Sequence, residues 1–243
     1  QLWLWGFVDR IELPVAPSLG GRRPYLYTLG RRGVPVVASL MERGSRAVNR
    51  RRLDRLNDLE IEHDLKAALF WAMLRGYLET TWIERWSWVA ERDLRALHRR
   101  VYDREADRAR PVLPDGEFWL HYPSGRVQWG MVEIDAGTLT LSRFRDKVRA
   151  LSLWAESYLE KQPEGATRPD IGVYVVSLSE GRMAKLMEQA AKAVDSLDSW
   201  PPFYFATFDD LQPDAFPACW RQFDAKSYYL LYADAFEQPQ KGA

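Results

Sequence analysis

Residues 113–147, LPDGEFWLHYPSGRVQWGMVEIDAGTLTLSRFRDK, constrain this chain more than any other stretch. Residues 117–121 alternate Phe118 and Leu120 against Trp119, the period of a strand. Pro123, Ser124 and Gly125 signal a turn. Residues 127–135 read as the second strand, with Val127, Trp129, Met131, Val132 and Ile134 as its apolar content. Side chains alternate across a pleated strand, so Glu133 and Asp135 share a face. Asp115 arrives just before the first strand, and Lys147 lies on the helix expected over residues 141–161.

If Asp115 lies beside Glu133 and Asp135, three carboxylates meet at one sheet end. Such acids repel unless a proton or a divalent cation sits among them. One reading is a Mg²⁺ or Mn²⁺ site for phosphodiester cleavage, in which the metal activates water and clamps phosphate. The other is a hairpin with solvated acids at its end and no cofactor. On the first reading, amidating Asp115 and Glu133 together raises metal-free stability by relieving repulsion.

The 243 residues allow one large domain or a medium one plus a small one, and an apolar fraction of 47% with 11 Trp fits a filled core. No apolar run is long enough to span a bilayer. Cys219 is the only cysteine, so an internal disulfide and a Cys/His zinc set are excluded, and a reducing, cytoplasmic setting is expected. No secretory signal is read, although the chain starts at Gln1. Net charge is zero but uneven. Residues 1–58 hold 11 Arg, no Lys and five acids, a net of +6 that leaves −6 for the rest. A basic front with an acidic back suggests a DNA-facing module joined to something else, against the plainer alternative of a solvated arginine-rich surface.

Residues 6–13 and 24–29 read as strands around a loop with Gly20, Gly21, Arg22 and Arg23 at its tip, and residues 31–41 as a short helix. This is the form of a winged-helix wing. Leu2, Trp3 and Leu4 would then be the tail of a recognition helix, stopped by Gly6. Arg22 and Arg23, followed by Arg31 and Arg32, would contact phosphate. Residues 44–57, with Arg50, Arg51, Arg52 and Arg55, are a linker or a segment touching the DNA backbone. Residues 59–79 predict a helix burying Ile61, Leu65, Ala68, Leu69, Ala72 and Met73. Near its start, Glu62 suits the helix dipole or supplies a further metal-site carboxylate, and His63 reads as a hydrogen-bonding helix residue rather than a ligand.

Further along, residues 80–87 predict a strand, with Trp82, Glu84 and Trp86 on one face. Residues 90–109 predict an exposed, charged helix, residues 172–178 a buried strand, residues 182–197 a helix, and residues 203–208 a buried strand. In the tail, residues 227–232 are strand-like. With the first strand and the helical insert set aside, residues 58–243 read αββαβαβ, an α/β architecture with helices around a mixed sheet.

Several segments, in this order, resemble the replication-relaxation family of bacterial plasmids and other mobile elements. They are GRRPYLYTLGRRG at 21–33, Glu62-His63-Asp64-Leu65, Leu113-Pro114-Asp115, and Val132-Glu133-Ile134-Asp135-Ala136-Gly137-Thr138 followed by Lys147. The resemblance implies a partial winged helix-turn-helix with a basic linker over residues 1–57. Residues 58–243 would be a restriction-endonuclease-like domain similar to the PD-(D/E)xK nucleases. It makes Asp115 the first metal acid and Glu133 the second. The lysine that such nucleases carry two positions later is here Asp135, so Lys147 would supply the cation from the next helix and Asp135 would join the metal ligands. The expected function is a double-stranded-DNA-binding protein acting in replication or DNA relaxation, with a protein partner in a replication or mobilisation complex and a nuclease-like domain whose competence the sequence leaves open. The alternatives are a metal-dependent endonuclease that nicks or cuts DNA, and a non-enzymatic regulator or interaction protein.

Overall fold

The computed structural model describes residues 1–12, 25–40, 42, 44, 58–212, 215–216, 218–223 and 230–232. The chain divides into two compact units, Gln1–Glu60 and Ile61–Ala243.

In the first unit, β1 (Val8–Glu12) pairs antiparallel with β2 (Tyr25–Leu29), Val8 opposite Leu29 and Glu12 opposite Tyr25. A short helix, α1 (Gly33–Leu40), follows. Residues 2–6 are turns, closed by Gly6 at φ +73°, a conformation that glycine adopts without a Cβ penalty. Arg10 is stacked on the rings of Trp3 and Tyr25, at 3.6 and 4.2 Å from their centroids. Arg31 and Arg32 are exposed, and Arg32 donates to the Trp5 carbonyl at 3.1 Å. The expected wing tip with Arg22 and Arg23, and the arginines 50, 51 and 52, lie outside the described residues.

The second unit is a three-layer α/β structure. Its sheet contains, in chain order, β3 (Arg85–Ala90), β6 (Gly116–His121), β7 (Val127–Ile134), β8 (Asp170–Ser177), β9 (Phe203–Thr207), β10 (Arg221–Phe223) and β11 (Leu230–Tyr232). Among the described residues the spatial order is β11-β10-β9-β8-β7-β6-β3. The pairs β3–β6, β6–β7, β9–β10 and β10–β11 are antiparallel, whereas β7–β8 and β8–β9 are parallel. The parallel pairs require crossovers, and α4 (Leu141–Glu160) and α5 (Glu180–Val194) supply them. Both helices begin on a capping hydroxyl, Thr140 accepting from the Arg143 amide and Ser179 from the Arg182 amide.

One sheet face packs on α4 and α5 through Trp129, Met131, Val173, Val175, Phe144, Val148, Leu151 and Leu186. The other packs on α2 (Asp58–Glu79) through Phe118, Leu120, Val132, Tyr174, Phe70 and Leu74. On that second face Gly130 stands opposite Phe118, and the ring lies across it. A Cβ at 130 would sit 2.0 Å from the ring, and one at Gly116 would sit 2.1 Å from Trp88.

Three expectations are corrected. The α2 core face is Ile61, Phe70, Leu74, Tyr77 and Leu78; Ala68, Leu69 and Ala72 are exposed. The bulky residues at i, i+4, i+7 and i+8 bury more surface than the alanine-rich stripe beside them. The strand expected at 80–87 begins at Arg85, because Thr80 and Thr81 turn their hydroxyls back onto the carbonyls of Tyr77 and Leu78 and end α2. The helix expected at 90–109 is one short helix, α3 (Glu91–Arg95), then a hairpin of β4 (Arg100–Asp103) and β5 (Arg108–Pro111). His98 and Asp107 have φ of 47° and 48°, which breaks a helix. Val101 and Asp103 point inward, where Asp103 receives Arg110 at 2.7 Å and Arg149 of α4 at 2.6 Å.

Candidate functional site

The site lies at the carboxyl end of β7, where ligands bind in open α/β sheets. The register brings Asp115 there, since its amide donates to the Val132 carbonyl at 2.9 Å, one row before the Gly116–Val132 pair. The pleat then places Glu133 and Asp135 on the α4 side. A cavity of about 140 Å³ is lined by His63, Asp115, Glu133, Ile134, Asp135, Thr138, Leu139, Phe144 and Lys147.

Lys147 is the centre of this cluster. Two turns into α4, its Nζ lies 2.8 Å from Asp115 Oδ1 and 2.6 Å from Glu133 Oε2. The other oxygen of Asp115, Oδ2, accepts from the Ile134 amide at 2.7 Å and lies 3.3 Å from His63 Nε2. Glu133 Oε1 is buried with no hydrogen-bond partner among the described residues. A buried carboxylate oxygen without a donor is costly, and it marks a place where a proton or cation would gain the most.

The electrostatics split the two acids. Burial pushes Asp115 up, but Lys147 and His63 outweigh it and hold the carboxyl down at about 2. Burial raises Glu133 well above the usual carboxylate range, and Lys147 offsets this only in part. Lys147 is itself raised, because the two acids outweigh the effect of its burial. His63 is raised by its contact with Asp115 against the opposing effect of burial. Two acids in one site, one held ionised and the other ready to take a proton, are the arrangement from which acid and base roles are drawn.

Asp135 lines the cavity, but both its oxygens are taken by Arg182 of α5, through Nε at 2.8 Å and Nη2 at 2.9 Å. Arg182 also donates to the Leu139 carbonyl at 2.6 Å, tying down the turn between β7 and α4. Glu62 is not brought into the cluster: it pairs with Lys66 one turn along α2, and its side chain is half exposed. His63, one residue on, faces the site instead. Glu117, buried on the same sheet face, is a further acid that spacing did not single out, and Arg99 before β4 neutralises it. The repulsion expected among the three acids is thus already compensated, by Lys147 for Asp115 and Glu133 and by Arg182 for Asp135.

Asp115 and Glu133 offer oxygen donors, the chemistry that Mg²⁺ and Mn²⁺ prefer, and the orphaned Glu133 Oε1 suits a cation. As arranged, with Lys147 between the acids, no group of three or more His, Cys, Asp or Glu stands ready to hold a metal among the described residues. No helix there is long and apolar enough to cross a membrane. Comparison with protein-family models, with curated proteins and with solved structures gave no match.

Proposed function

We propose that this chain is a DNA-binding protein of a plasmid or other mobile element, and that its second unit carries a divalent-cation-dependent phosphodiester-cleaving site of the PD-(D/E)xK type. The observation that carries the reading is Lys147 reaching both Asp115 and Glu133 at the carboxyl end of β7. The element order α2-β6-β7-α4-β8-α5-β9, with β3 and the β4–β5 hairpin set aside, supports it as an αββαβαβ core. Asp115 and Glu133 would hold the cation, which when bound would polarise the phosphate and lower the pKa of water. Lys147 would offset charge developing on phosphate. Exposed Arg143 and Arg145 on the first turns of α4, with Arg22 and Arg23 of the first unit, would meet backbone phosphates.

The test has two arms. In a supercoiled-plasmid assay with Mn²⁺, the wild type nicks and Glu133→Gln does not. In a thermal titration Mn²⁺ raises the wild-type midpoint, because a ligand of the folded state stabilises by mass action, and Glu133→Gln loses that gain. An identical metal response in the two proteins rejects the site. For DNA binding, replacing Arg22 and Arg23 with Ala lowers affinity similarly across sequences and flattens the salt slope; an unchanged slope rejects the wing contact.

One observation favours a second reading, a non-cleaving DNA-binding scaffold. Lys147 is already paired with Asp115 and Glu133, and Arg182 with Asp135. On this reading DNA binding persists while Mn²⁺ changes neither stability nor plasmid topology.

A further inference from the structure

We propose that His63 is a positioning residue of the Asp115–Glu133–Lys147 site, fixing which oxygen of Asp115 is offered to a cation; the proposal rests on the metal-site reading above. The two oxygens of Asp115 are held differently. Oδ2 is tied by the Ile134 amide at 2.7 Å and faces His63 Nε2 at 3.3 Å, whereas Oδ1 meets Lys147 at 2.8 Å. The Ile134 amide belongs to the sheet and cannot swing, since Ile134 is in register with Val176. His63 comes from the other side: α2 packs on the sheet face opposite α4 and is anchored there by Phe70 and Leu74. Asp115 is therefore gripped between a donor from α2 and a cation from α4, with its backbone fixed to Val132 and Glu91.

A carboxylate with one oxygen engaged by two donors presents the other in a single direction. Without the imidazole only the Ile134 amide restrains Oδ2, and the group can rotate to give both oxygens to Lys147. That deepens the internal ion pair at the expense of any external cation. Groups that orient metal-binding carboxylates in this way are worth about 10–100-fold in metal affinity. Glutamine at 63 keeps an N–H donor; alanine and leucine do not.

The experiment is a Mn²⁺ titration of the full chain read by thermal unfolding, with circular dichroism as the check on folding. His63→Ala is expected to raise the Mn²⁺ concentration at half-maximal stabilisation by about tenfold or more, and His63→Gln to recover most of it. His63→Leu, which keeps bulk without a donor, replaces the alanine variant if that does not fold. A half-maximal concentration unchanged from wild type in the donor-less variant overturns the proposal. So does an equal loss in the glutamine and donor-less variants, which marks His63 as packing only. A wild type with no Mn²⁺ response overturns the metal site itself and this proposal with it, an outcome distinct from the other two.

Discussion

Arg182 and Asp135 form a two-point ion pair, Nε to Oδ2 at 2.8 Å and Nη2 to Oδ1 at 2.9 Å, with the Asp135 side chain almost wholly buried. Removing one partner of such a pair leaves an uncompensated buried charge. Arg182→Ala is expected to cost about 3–5 kcal/mol of unfolding free energy. Arg182→Lys keeps the charge but not the planar fork, and should fall between. Urea denaturation checks both; a loss below about 1 kcal/mol for Arg182→Ala would show that the pair is solvent-relaxed.

Lys147 reverses the sign expected for the double change Asp115→Asn with Glu133→Gln. Repulsion between bare carboxylates would make the double variant more stable. With Nζ between them, it instead leaves a partly buried ammonium without its two counter-ions, and metal-free stability should fall by about 1–3 kcal/mol. Adding Lys147→Met should recover a large part of the loss, because the uncompensated charge leaves with it. Denaturation curves of the double and triple variants decide the matter.

The pH dependence of stability follows from the split between the two acids. Asp115 has its folded pKa depressed to about 2, below an unfolded value of about 3.9. Its contribution is present above about pH 4 and is lost as pH falls towards 2, about 2–3 kcal/mol at 1.36 kcal/mol per unit. Glu133 is raised, so its contribution is present below about pH 4.3 and lost as pH rises through its elevated folded value. Denaturation between pH 2.5 and 9 should show Glu133→Gln flattening the decline that sets in above about pH 4.3. Asp115→Asn should remove part of the acid-side loss, the remainder belonging to groups such as Asp103, which Arg149 holds low.

Phe70 and Leu69 are neighbours on α2 with opposite fates, Phe70 fully buried and Leu69 40% exposed. Phe70→Ala should cost about 3–5 kcal/mol, and Leu69→Ala about 0.5 kcal/mol or less. Equal losses in urea denaturation would mean that the helix is rotated from the face described.

What could be read from the sequence was local. The β6–β7 hairpin, its turn at Pro123–Gly125 and the helix α4 are all encoded within a short stretch by alternation, turn residues and helical spacing, so Asp115, Glu133 and Lys147 fall into one site by proximity along the chain. Arg182 stands 47 residues from Asp135, and His63 is separated from Asp115 by the whole β3–β5 region. No periodicity encodes such meetings; they depend on how α2 and α5 pack. The β4–β5 hairpin hides from periodicity because Asp103, a residue type that normally faces water, is an inward member of its alternation, compensated by Arg110 and Arg149.

The ring of Phe118 lying across Gly130 ties those two positions into one unit of inheritance. A lineage that gains any side chain at 130 must first give up the ring at 118, and Gly116 is bound to Trp88 in the same way. Substitutions at these four positions should therefore be correlated rather than independent. Remote kin of this chain should therefore carry a glycine facing an aromatic residue across the β6–β7 hairpin, a steric signature independent of the carboxylates.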